Sequence, residues 1–95
     1  MANVAIYYRL TKSEDTGQVI QYINEKIHKF GDQHLIKGVF VDDHKDRSQL
    51  NELVNQPLHE IDKLFISEEI DDEFDWKLLN ELAKTEGFTI HLLSE

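Results

Sequence analysis

Four short apolar runs alternate with three stretches whose apolar residues recur at helical spacing, and this alternation restricts the chain to very few folds. Residues 3–8, built around Val4-Ala5-Ile6-Tyr7, read as a buried strand. Residues 17–30 then place Val19, Ile20, Ile23, Ile27 and Phe30 on one helical face, with Gly31 as the stop. A second strand spans 35–42, and a short helix from about 47 to 55 carries Leu50, Leu53 and Val54 before Pro57 marks its limit. A third strand covers 63–67. A helix over 72–86, with Phe74, Leu78, Leu79 and Leu82 on its apolar side, ends at Gly87, and a fourth strand follows at 88–93. Strands that are apolar throughout and separated by helices are the mark of a parallel sheet covered on both faces. The order βαβαβαβ therefore predicts an α/β fold, a three-layer α/β/α sandwich with a mostly parallel four-stranded sheet and right-handed crossovers. Ligands of such sheets bind beyond the carboxyl ends of the strands. Here those ends carry Arg9 and Thr11, Asp42 and Asp43, and Ser67 to Glu69.

Ninety-five residues suffice for one domain, 1–95, with one modest core. No apolar run reaches the roughly 20 residues of a membrane helix, and no secretory leader is legible, so a cytoplasmic location is expected. The absence of cysteine excludes disulfides and thiolate metal sites. The formal charge of −9 is unevenly spread. Residues 1–66 carry eight Lys/Arg against ten Asp/Glu, a net −2, whereas residues 67–95 carry two against nine, a net −7. Nucleic-acid affinity depends largely on basic side chains displacing phosphate counterions, so direct DNA binding is expected to be weak.

Tyr7-Tyr8-Arg9-Leu10-Thr11 resembles the Tyr-x-Arg-x-Ser motif of the serine recombinases, the resolvase and invertase family, whose serine attacks a DNA phosphate. The likeness continues in order along almost the whole chain. Phe40-Val41-Asp42-Asp43 followed by Arg47 and a leucine-bearing helix is similar to that family's strand, acidic turn, arginine and helix. Leu64-Phe65-Ile66, an acidic loop, a helix and Gly87-Phe88-Thr89-Ile90 are similar to its third strand, catalytic loop, helix and fourth strand. The resemblance implies a resolvase-like catalytic core connected with mobile or phage DNA, and assigns Thr11, Arg9 and Arg47 to the catalytic positions.

The departures from that pattern point away from cleavage. Thr11 stands where the family has serine, and its extra methyl restricts rotation. The family's third-strand loop carries an Asp-Arg pair and a second arginine. Here the segment Ser67-Glu68-Glu69-Ile70-Asp71-Asp72-Glu73-Phe74-Asp75 has no arginine and six acids. One well-placed donor to developing negative charge is worth about 2.7 to 4 kcal/mol, so losing two removes the usual route to strand cleavage. The family uses a long helix after this sheet for dimerisation and a separate DNA-binding domain beyond it, and the sequence reaches Glu95 before either, so an isolated core is expected. The expectation is a degenerate recombinase core, a pseudoenzyme that acts by protein association through Glu68, Glu69, Asp71, Asp72 and an exposed Trp76. The partner is expected to be a recombinase, another DNA-processing protein or a second copy.

Other assignments stay open at this level. Residual phosphoryl transfer through Thr11 is one. A cation or nucleotide module is another, with Asp42, Asp43 and Glu68 as hard oxygen ligands. No cofactor is expected. Arg9 and Arg47 have an alternative role as salt-bridge partners of Asp42, Asp43 or the acidic loop. The five histidines show no paired ligand spacing. Tyr8 and Trp76 are the aromatics expected at the surface.

Overall fold

A computed structural model of the chain describes residues 2–30, 33–44, 46–68, 70 and 72–93. Its elements run β1 (Ala2–Arg9), α1 (Thr16–Phe30), β2 (His34–Asp42), α2 (Ser48–Val54), a single 3-10 turn at Leu58–Glu60, β3 (Lys63–Ile66), α3 (Glu73–Glu86) and β4 (Thr89–Leu92). The βαβαβαβ order read from the sequence is present, and the predicted helix stop at Gly31 lies outside the described residues. The strands form one parallel sheet in the order β2-β1-β3-β4. None of the described helices is long and apolar enough to cross a membrane.

β1 is the turning point of the winding, and alternate side chains along it serve opposite faces. Val4, Ile6, Tyr8 and Leu10 meet Val19 and Ile23 of α1 on one side. Ala5 and Tyr7 meet Leu50 and Leu53 of α2 and Leu79 of α3 on the other, with Leu64 and Ile66 from β3. One helix on one face and two on the other is what right-handed crossovers require when the order reverses at β1. The reversal leaves a crevice between β1 and β3 at their carboxyl ends, the usual binding position in such sheets.

Local chemistry explains the helix ends. Asp72 caps α3 by accepting the Asp75 N–H at 2.9 Å, while Gly87 closes the helix in the left-handed conformation (φ 81°) that a side chain would oppose. In β2 a bulge opposite Val4 and Ala5 shifts the register, so that Gly38 and Phe40 both face the α2 side. A Cβ on Gly38 would stand 2.8 Å from the Phe40 ring, so glycine is required where that ring lies across the strand.

The structure corrects four expected placements, two at the surface and two in the core. Tyr8 is only 9% exposed, because Tyr22 of α1 packs edge-on against it, with ring centroids 6.2 Å apart. Trp76 is half-buried against the α2–α3 side of the core. Phe74 is 67% exposed instead, since the buried stripe of α3 passes through Asp75 and Leu79 and leaves Phe74 off its face. Ile20, at the margin of the stripe formed by Val19 and Ile23, is likewise exposed.

Candidate functional site

The site is assembled at the end of β1, where residue alternation turns Tyr7 and Arg9 toward α2 and α3. Arg9 pairs in register with Asp42, the last residue of β2. Asp42 is 1% exposed, and its carboxylate accepts the Tyr7 hydroxyl at 2.6 Å and the N–H groups of Gln49 and Leu50 at 2.8 and 3.0 Å. It thereby satisfies the start of α2, whose capping residue Arg47 makes no side-chain cap. The Tyr7 hydroxyl in turn accepts Arg9 Nε at 3.0 Å. Burial, reinforced by the bond to Asp42, pushes the Tyr7 phenol well above its ordinary pKa.

From Arg9 the network continues to Asp75 in the first turn of α3. Asp75 is 2% exposed, with one carboxylate oxygen 2.6 Å from Arg47 Nη2 and the other 3.5 Å from Arg9 Nη2. Two guanidinium groups on one carboxylate is an arrangement equally suited to a phosphate. Burial alone would lower the Arg9 pKa, but its bonds to Tyr7 and Asp75 leave it raised. The Arg47 side chain is 47% exposed, and its guanidinium lies 5.8 Å from the centre of the Phe74 ring. Among the described residues no buried side-chain nitrogen or oxygen lacks a partner.

Arg9, Arg47 and Asp75 line a cleft of about 580 Å³ between the ends of β1 and β3, together with Thr11, His44, Ser67, Glu68 and Asp72. Two guanidinium groups face three carboxylates there, those of Glu68, Asp72 and Asp75. Thr11 is exposed, its hydroxyl 3.4 Å from the Ser13 hydroxyl. Its N–H donates to Glu14 at 2.8 Å, and the other Glu14 oxygen accepts the Tyr8 hydroxyl, so Glu14 fixes the loop that presents Thr11. Ser67 adds a link between strands by accepting the Arg9 N–H at 3.2 Å.

The structure thus gathers Arg9, Arg47 and Thr11 around one cleft. Glu68 and Asp72 are exposed at its rim, whereas Glu69 and Asp71 lie outside the described residues. Asp42, Asp43 and Glu68 are not brought together as ligands, and no group of three carboxylate or imidazole side chains suited to a metal occurs among the described residues. Asp42 has spent its oxygens on internal donors and Asp43 faces solvent. Sequence reasoning missed Asp75 as a site residue, counting it only as one of six acids. Its signal was present: Asp75, Leu78, Leu79 and Leu82 follow i, i+3, i+4, i+7, which sets a carboxylate at the head of the buried stripe.

No protein-family model and no curated protein matches this chain. Among solved structures it is similar to the C-terminal catalytic domain of ISC1926 TnpA, an IS607-like serine recombinase. The TM-score is 0.70 at 20% sequence identity, over 98% of this chain and 70% of that one. The chain has the fold of a serine recombinase catalytic domain.

Proposed function

We propose that this chain is a recombinase-fold module that has lost strand cleavage and acts in DNA recombination by associating with another protein. One observation carries the reading: the buried Asp75 carboxylate already holds both Arg9 and Arg47. A phosphodiester would have to displace a fixed, desolvated carboxylate while Glu68 and Asp72 repel it at the rim. Cleavage needs free positive donors where negative charge develops, and both arginines of this cleft are occupied. Association has a separate support in the acidic rim beside the exposed Phe74, which takes the anchoring position first expected of Trp76.

The test is incubation with supercoiled DNA, assayed for nicking and for a covalent protein–DNA adduct, alongside Thr11→Ala. Neither protein should react; nicking that disappears in Thr11→Ala would establish the rival reading. That rival, residual phosphoryl transfer through Thr11 aided by Arg9 and Arg47, is favoured by the cleft that gathers the three side chains. Asp75→Asn gives a second readout. It frees both guanidinium groups, so inorganic phosphate should raise the melting temperature of this variant and leave the parent unchanged. Charge reversal at Glu68, Asp71 and Asp72 should abolish capture of the partner from the native host.

A further inference from the structure

We propose that β2 is a self-pairing edge, through which two copies of this chain join antiparallel into one continuous sheet about a two-fold axis at Phe40. The inference stands apart from the cleft. β2 is the terminal strand of the sheet, nine residues long, and pairs on one side with β1. The opposite edge, β4, has four residues. The Asp42 carbonyl points to β1, where it accepts the Leu10 N–H at 2.9 Å. Backbone direction alternates along a strand, so the N–H and C=O groups of Val39 and Val41 point outward. A long edge with outward-facing backbone groups is a template for another strand unless it is guarded.

The guard on this edge covers only part of it. The bulge and Lys37 interrupt the first half, while Gly38–Asp42 is regular and carries no lysine or proline. Val39, at the centre of this regular segment, is 41% exposed. An axis at Phe40 uses the whole regular segment. Val39 then lies opposite Val41 of the second copy, a favourable β-branched pair made twice. Lys37 falls opposite Asp43, both exposed, so the basic end of each strand meets the acidic end of the other. A parallel arrangement would instead set like charges together. Charge complementarity therefore selects a second copy, antiparallel, and a two-fold interface closes on itself. An apolar recess of about 90 Å³ beside Gly38 and Phe40 opens on the face where the two Phe40 rings meet.

The chain has no cysteine, so the register can be read directly. Under mild oxidation an equimolar mixture of Val39→Cys and Val41→Cys should give a covalent dimer, and each variant alone should give little. Light scattering over a concentration series should show a reversible dimer. Asp43→Lys, which faces Lys37 with a like charge, should weaken that dimer by about tenfold, and adding Lys37→Asp should restore it. Circular dichroism checks that the fold survives these surface changes. A parent chain that stays monomeric throughout would overturn the proposal. So would a dimer that the charge swap leaves unchanged and the mixed cysteines fail to link.

Discussion

Tyr7 and Tyr8 are neighbours on β1, point to opposite faces of the sheet, and each donates its hydroxyl to a carboxylate at the same end of the molecule. What surrounds the two bonds is different. Tyr7 and Asp42 are both almost fully buried, and Asp42 also holds the first turn of α2. Tyr8 reaches Glu14, a partly exposed loop residue whose remaining work is to fix the backbone of Thr11. Burial raises both phenol pKa values, with the carboxylate partner adding to the effect in each case. One pair is continuous with the core and leads through Arg9 to the cleft. The other is a latch on a surface loop. A hydrogen bond costs far more to break where no water can replace it, so the same chemical pair has two different roles.

Removing the buried carboxylate gives the sharpest contrast. Asp42→Ala strands the Tyr7 hydroxyl and two backbone N–H groups in the interior, and should destabilise by about 3 to 5 kcal/mol. Urea unfolding measures this as a lower midpoint at unchanged slope. A loss below about 1 kcal/mol would mean that water enters and that the Tyr7 side resembles the Tyr8 side.

Deleting each hydroxyl in turn compares the faces at equal chemistry. Tyr7→Phe strands Arg9 Nε and leaves Asp42 Oδ2 with the Leu50 N–H alone, and should cost about 1.5 to 3 kcal/mol. Tyr8→Phe at the latch should cost about 0.5 to 1 kcal/mol, because Glu14 there has access to water. Equal losses in urea unfolding would erase the distinction drawn between the faces.

The same contrast separates what was legible in the sequence from what was not. Apolar runs at strand length, helical spacing at Val19, Ile23 and Ile27, and glycine at 87 carry the fold locally, so the element order can be read without tertiary knowledge. The places of Arg9 and Thr11 were legible because a motif sets them at the end of β1, and that of Arg47 because it stands just before the leucine-bearing helix. Asp75 was not, since an acid in a run of acids at a helix start reads as solvated. Its burial depends on Arg9 and Arg47 arriving from two other elements. Trp76 and Phe74 exchanged roles for a related reason: residues two apart on a helix point about 200° apart, and which of them meets the core is decided by how α3 packs on the sheet.

The smallest effect tests the latch alone. Burial pushes the Glu14 carboxyl upward, but the bonds it accepts from the Tyr8 hydroxyl and the Thr11 N–H outweigh this and hold its pKa below the usual range. A carboxylate whose folded pKa is depressed binds protons less readily in the native state than in the unfolded chain. Its contribution is thus full above the ordinary glutamate value of about 4.3 and is lost as pH falls through the lowered native value. Glu14→Gln lacks this titration. The parent should therefore exceed the variant in urea midpoint near neutral pH, and the gap should close in acid below about pH 4. A gap that stays constant through that range would show that Glu14 holds the Thr11 loop by shape and not by charge, and the latch would then bear no resemblance to the buried pair on the other face.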